Sequence, residues 1–303
     1  NIMNTIKFII KRILIAIPVL IGVMLIIFLM LNVVPGDPVT LMMKEHIKPE
    51  LIERMKVEMG LDDPVMVRFL NYIKSAAHGD FGVSYKLNLN AFPHTVKLTI
   101  FAALIAWLIG IPAGIISAVK QNSLIDRFLM SFSLVGVSMP VFWAALMLQY
   151  FLAFKWRLLP VSGYTTWRHM IMPAIVLGWS SAGSIARLTR SSLLEIMKND
   201  FVRTARAKGL KENGVVVGHA LKNALLPVVT MMAIQVASLL SGAVITESVF
   251  GIPGIGRLAV NAIQTRDMPL LQGTVVFTTV IIICGNLIAD LLYSVIDPRI
   301  RVE

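Results

Sequence analysis

Six long apolar runs are separated by polar connections along the chain. They cover residues 13–34, 98–119, 128–154, 170–186, 224–246 and 268–289, and none contains Asp, Glu, Lys or Arg. A helix needs about 20 apolar residues to cross the hydrocarbon core of a bilayer. The pattern predicts an all-α, polytopic membrane protein with six transmembrane helices. The first run is too long for a signal-peptide core and no small-residue cleavage site follows it, so it reads as a retained anchor. Three parts follow: 1–34 with the first transmembrane helix, a long loop at 35–97, and a core of five transmembrane helices at 98–303.

The long loop carries its own helical signals. Pro49 to Gly60 reads as a short amphipathic helix with Leu51, Ile52, Met55 and Met59 on one side. Asp62-Asp63-Pro64 starts a second, with Val67, Leu70 and Ile73 spaced for one face. Gly79-Asp80-Phe81-Gly82 is turn-like. Within the apolar runs a second period appears. Small residues recur every fourth position at Ala102, Ala106, Gly110, Gly114 and Ala118, at Ala174, Gly178, Ala182 and Ala186, and at Ala233, Ala237 and Ser241. Such stripes let helix backbones approach closely in lipid. They serve packing within the bundle or face a partner subunit.

Composition agrees with the pattern: 56% of the 303 residues are hydrophobic and 15% charged. The net charge of +11 points to topology rather than to nucleic acid, because much of the excess sits beside the apolar runs. With both termini inside, the inner segments hold more than half of the 28 Lys and Arg. The loop at 35–97 is near neutral, and long loops weigh little in the positive-inside rule. The N- and C-termini and the basic stretch at about 187–224 are thereby expected in the cytoplasm, and the loop 35–97 outside.

No phosphate-cradling Gly-x-x-x-x-Gly-Lys loop, zinc-protease motif, serine nucleophile elbow or potassium filter occurs in the sequence. The five histidines are scattered, and the single Cys284 has no partner for a disulfide or zinc site. No catalytic, metal or cofactor-binding residues are expected. Few polar groups lie at membrane depth. Gln149 and Gln235 inside runs, and Glu247 just past one, are the candidates for a translocation path. Six spans without catalytic machinery suggest a conduit. The spans lack the buried acid or histidine relay of a proton-coupled carrier, which leaves an energised partner pushing on a cytoplasmic segment.

That segment is Asp200-Phe-Val-Arg-Thr-Ala-Arg-Ala-Lys-Gly-Leu210, followed by Asn223-Ala-Leu-Leu-Pro227. It reads as a short basic helix, with Asp200 as its cap and Gly209 ending it in the left-handed conformation. Phe201–Leu210 and His219–Pro227 resemble the cytoplasmic EAA loop of ABC-importer permeases, in the version of the dipeptide/oligopeptide/nickel group. Other landmarks of that group stand in order: Arg12, Pro35-Gly36-Asp37-Pro38, Gly60–Pro64, Gly79–Gly82, Ala186–Leu193, Glu247–Arg257, Arg266-Asp267 and Asp297-Pro298-Arg299. The signature glutamate is absent, with Arg203 and Thr204 near its place. Lys211 stands where a small capping residue is frequent.

The resemblance implies the type I ABC importer permease fold and the B-type permease subunit of a peptide importer, with nickel or metal-chelate import as the alternative. It implies ATPase coupling through Phe201, Arg203, Thr204, Ala205, Arg206, Ala207, Lys208, Gly209, Leu210 and Pro227. The small alanines are expected to allow close approach to a partner's groove. The implied partners are a homologous second permease, two cytoplasmic ATPase subunits that bind ATP and Mg, and an extracellular or periplasmic substrate-binding protein, in the plasma (inner) membrane of a prokaryote. From a different class, a gradient-driven carrier or channel fits the same spans.

Overall fold

The computed structural model describes residues 2–33, 63–77, 82–265 and 267–296. Their regular structure is entirely helical. Helix α1 is Ile2–Val33 and α2 Val65–Ala77. Helix α3, Gly82–Val119, is the longest, with 38 residues. Helix α4 is Leu124–Ser138, and α5, Val141–Leu148, runs on into a π-helical stretch, Gln149–Lys155. Helix α6 is Trp167–Ile196, α7 Asp200–Ala207 and α8 Glu212–Val215. A second π-helical stretch, Val216–Ala220, leads into α9, Leu221–Leu240. Helices α10, Val244–Phe250, α11, Ile255–Gln264, and α12, Met268–Ile296, complete the fold.

Among the described residues, five helical rods are long and apolar enough to cross a membrane, and α4 with α5 makes a sixth crossing if the bent pair counts as one. The run at 128–154, expected as a single span, is therefore broken, with a bend of 104°. Pro140 supplies no N–H and disfavours helical geometry at the residue before it. Met139 is accordingly extended, with φ −75° and ψ 129°.

A second correction concerns the start of the second span. Helix α3 begins at Gly82, well ahead of residue 98, so the end of the segment read as loop is helix. Hydropathy misses it because Lys86 and Lys97 interrupt the apolar pattern, while Asn88 and Thr95 between them are polar yet buried. Helix α9, in the fifth apolar run, ends at Leu240, short of residue 246, and the chain turns before α10. The expected helix at 49–60, the Pro35–Pro38 and Asp297–Arg299 landmarks, and most of the Gly79–Gly82 turn lie outside the described residues.

Helix α2 forms where its Asp-Asp-Pro start predicts it, and of its expected apolar face only Ile73 docks. Phe69, with Tyr72 and Ile73, packs on Met24 and Phe28 of α1 and Val276 of α12. The Phe28 and Phe69 rings lie 5.4 Å apart. Val67 and Leu70, which share a helical face with Ile73, are exposed. The aromatic side chains bury more apolar area than Val67 and Leu70 would.

The small-residue stripes of α3 and α6 face each other. Ala102, Ala106, Ala174, Ala182 and Ala186 are all buried. A Cβ at Gly110 would lie 2.8 Å from the Ala182 carbonyl oxygen, and one at Gly178 would lie 2.9 Å from that of Ala102. Among the described residues, this seam is the most extensive helix pairing. In the third stripe, Ala237 of α9 is buried against Gly285 of α12. Two apolar clusters mark the ends of the α3–α6 pair. Ala118, Leu193, Val202, Val215 and Ala220 gather at one end, and Leu98, Met170, Phe250 and Ile252 at the other.

Candidate functional site

The basic segment sits at the first of these ends. Asn199, extended at φ −71° and ψ 150°, takes the N-cap position of α7, and no side-chain cap bond forms. Asp200, expected as the cap, lies instead in the first turn, where its charge favours the helix dipole. Thr204 Oγ1 donates to the Asp200 carbonyl at 2.9 Å. Gly209 is left-handed, with φ +80°, and its N–H donates to the Arg206 carbonyl at 2.9 Å.

Only two side chains of α7 are buried, Val202 and Ala205. They insert among Ala118, Leu193, Val215, Val216 and Ala224. Ala205 is thus occupied inside this chain and offers no close approach to a partner. Phe201, Arg203, Thr204, Ala207, Lys208 and Leu210 form the exposed face. The amphipathic period explains the split, because Val202 and Ala205 are three residues apart. Arg206 turns back on its own chain, with Nη2 donating to Glu212 Oε1 at 2.7 Å and Nε to Oε2 at 3.1 Å. These bonds raise the guanidinium pKa above its usual value and tie α7 to α8 across the Gly209 turn. Arg203 and Asp200 approach to 3.5 Å while both stay largely exposed, a contact of little energetic weight.

Lys211 holds the N-cap position of α8 without a side-chain cap bond. Pro227 is exposed within α9 and withholds an N–H from the Asn223 carbonyl. Ser192 Oγ donates to the neighbouring Ala224 carbonyl at 2.8 Å, which joins α6 to the same turn.

An ion pair beneath this end was not anticipated as a pair. Arg190 of α6 donates through Nε and Nη2 to the two carboxylate oxygens of Asp126, each at 2.8 Å. Ser117 Oγ of α3 donates to the same carboxylate, as does the Asn122 N–H at 2.9 Å. The group locks α3, α4 and α6 together. Its sequence signal is Ser123-x-x-Asp126, in which Ser123 Oγ accepts the Asp126 N–H at 3.2 Å and caps α4.

At the opposite end stands Glu247 in α10. It was expected near an interface, with a place on the path as one reading, yet it is fully enclosed. Thr95 Oγ1 donates to its Oε1 at 2.8 Å, and the Arg257 N–H to its Oε2 at 3.0 Å. Thr95 Oγ1 also accepts the Ile255 N–H at 2.9 Å. The reversal before α10 brings the carboxylate under the start of α11, whose unpaired N–H groups and positive dipole end it satisfies. Of the other two path candidates, Gln149 gives its amide to the Val161 and Val249 carbonyls, at 3.0 and 3.1 Å. Gln235 reaches the Ser181 carbonyl at 3.4 Å, and its own Oε1 is buried without a partner. Gln149 and Glu247 meet the same short helix α10, whereas Gln235 lies at the contact of α9 with α6. Among the described residues, no three His, Cys, Asp or Glu side chains are grouped for a metal ion.

Residues 110–302 match the family described as binding-protein-dependent transport system inner membrane component. Residues 5–88 match the corresponding N-terminal membrane-component family. The dipeptide transport system permease protein DppB of Escherichia coli (strain K12) is 40% identical, over 97% of this chain and 98% of that protein. The oligopeptide transport system permease protein AppB of Bacillus subtilis (strain 168) is 37% identical, over 97% and 99%. Among solved structures, the MetNI methionine ABC transporter in an inward-facing conformation has a chain that superposes with a TM-score of 0.60. It is 17% identical, over 70% of this chain and 96% of that one.

Proposed function

The chain belongs to the family of binding-protein-dependent transport system inner membrane components, and from that premise we propose that it is the permease subunit of an ATP-driven importer of di- and oligopeptides. The observation that carries the cargo is the similarity to DppB over nearly the whole of both chains. The chain lies in the inner membrane of a prokaryote. It crosses six times, the bent α4–α5 pair making one crossing, and both termini face the cytoplasm. It pairs with a second, homologous permease to enclose the path. Two cytoplasmic ATPases and an extracytoplasmic binding protein complete the assembly.

The exposed face of α7 docks on an ATPase. Phe201 and Leu210 supply apolar contact, Arg203 and Lys208 supply charge, and Thr204 and Ala207 lie between. Behind them, Val202, Ala205 and the Arg206–Glu212 pair anchor the loop to its own chain, so a push on α7 is delivered to α6 and α9. Gly209 sets the angle between α7 and α8, and Pro227 marks where the second arm enters the membrane rod. Support for this division comes from burial, because the two inward side chains belong to the cluster that contains Leu193 of α6 and Ala224 of α9. Gln235, with a buried unpaired acceptor between two rods, is the path candidate that remains. Gln149 and Glu247 act as fasteners of the outer end.

The test is uptake of a radiolabelled dipeptide into proteoliposomes holding the complete assembly. Uptake is expected only with ATP and the loaded binding protein. Uptake that persists with inactivated ATPases would make the chain a gradient-driven carrier and overturn the reading.

A further inference from the structure

A cavity of about 420 Å³ opens at the end of the bundle opposite α7. Asn90 and His94 of α3, Tyr164 of the connection before α6, and Arg257 and Asn261 of α11 supply its polar groups. Its size falls within the range of small-ligand sites. Those three segments are far apart in sequence; Glu247 clasps α3 to α11, and the Tyr164 ring packs on His94 of α3.

Arg257 is the charged group of this cavity. It is half-buried, and no carboxylate among the described residues forms an ion pair with it. Its backbone N–H is held by Glu247, so the residue is fixed while the guanidinium stays available. The Glu247 carboxylate cannot itself reach a ligand, being fully enclosed and occupied by two donors. A planar guanidinium matches a carboxylate through two parallel N–H bonds. The side-chain amides of Asn90 and Asn261, both exposed, offer donors and acceptors to a peptide unit. His94 and Tyr164 form one wall, with ring centroids 4.9 Å apart in an edge-to-face contact.

We propose that this cavity binds the terminal carboxylate of the peptide cargo, with Arg257 as its partner and the two asparagines on the adjoining peptide unit. The proposal rests on the peptide-importer reading, under which this end faces outward. It adds a selective step in the permease itself: a free carboxylate is held at the mouth of the path.

Saturation-transfer NMR tests it on the solubilised complex of both permeases and ATPases, without the binding protein. The probes are alanyl-alanine and its C-terminal amide. Alanyl-alanine is expected to bind about tenfold more tightly than the amide, the equivalent of one charge-assisted contact. Arg257→Gln is expected to erase that preference and Arg257→Lys to retain part of it. Should Arg257→Gln fail to assemble, Asn261→Leu at the exposed rim is expected to weaken both probes alike. Equal affinity for acid and amide in the native complex overturns the proposal. So does an Arg257→Gln complex that binds alanyl-alanine normally yet loses stimulation by the binding protein, which would make the cavity a seat for an acidic side chain of that protein. A native complex that imports no peptide in the proteoliposome assay removes the importer reading instead, so the two failures are distinguishable.

Discussion

Two glycines set out how much a single position carries. Gly209 has φ +80° with open space where a Cβ would stand, so Gly209→Ala is expected to cost only the backbone term, about 1 kcal/mol. At Gly254 the added methyl would run into the Glu247 carboxylate. Gly254→Ala is therefore expected to lower the thermal unfolding temperature of the detergent-solubilised chain far more than Gly209→Ala, and a reversed order would count against the clasp. Asp126→Ala leaves the half-buried Arg190 without its partner and is expected to lower the thermal unfolding temperature, because a charge taken partly out of water loses its compensation. The double replacement Asp126→Leu with Arg190→Leu is expected to be milder than Asp126→Ala alone, as a thermal-stability cycle would show. Gly209 was legible from sequence because its local turn chemistry decides its geometry. Asp126, Arg190 and Glu247 were legible only as charges, since hydropathy and charge counts do not say which groups meet across α3, α4, α6 and α11.

At the scale of elements, α7 divides into a face that holds it and a face that is free. Arg203→Glu combined with Lys208→Glu touches only the free face. It is expected to leave expression and permease pairing intact while reducing peptide-stimulated ATP hydrolysis several-fold in the reconstituted assembly. Val202→Asp buries an unpaired charge in the cluster at the α6 terminus and is expected to abolish recovery of folded protein. If the two changes gave the same phenotype, the division would be wrong. The apolar runs located most of the long rods, because length and continuity are what a bilayer demands. The polar first turns of α3 and the break at Met139-Pro140 were missed for the same reason: a running hydropathy sees neither buried Asn and Thr nor the direction of the chain. The docking face of α2 was legible only in part: Ile73 docks, but the period it shares with Val67 and Leu70 carries no record of the aromatic ring that α1 presents.

Across the whole molecule, α3 and α6 form one body. Gly114→Leu would drive a side chain into the Ala186 carbonyl and Thr189, where a Cβ alone already falls within 2.6 Å. It is expected to prevent co-purification with the partner subunits, whereas Gly22→Leu, at a site with nothing within 4 Å, is expected to leave co-purification unchanged. The stripes were visible in the sequence, but that two of them mate within one chain was not, because a repeat of four names a face and leaves its neighbour open. At a rise of 1.5 Å per residue, α3 is about 57 Å long. The α3 and α6 backbones approach at glycine distance from Ala102 to Gly114, about 18 Å of that length, and have little slack there in which to slip. The α3–α6 pair is therefore expected to act as a strut, carrying a push near Val202 toward the far end of the bundle, where Thr95 of α3 meets Glu247 and the start of α11.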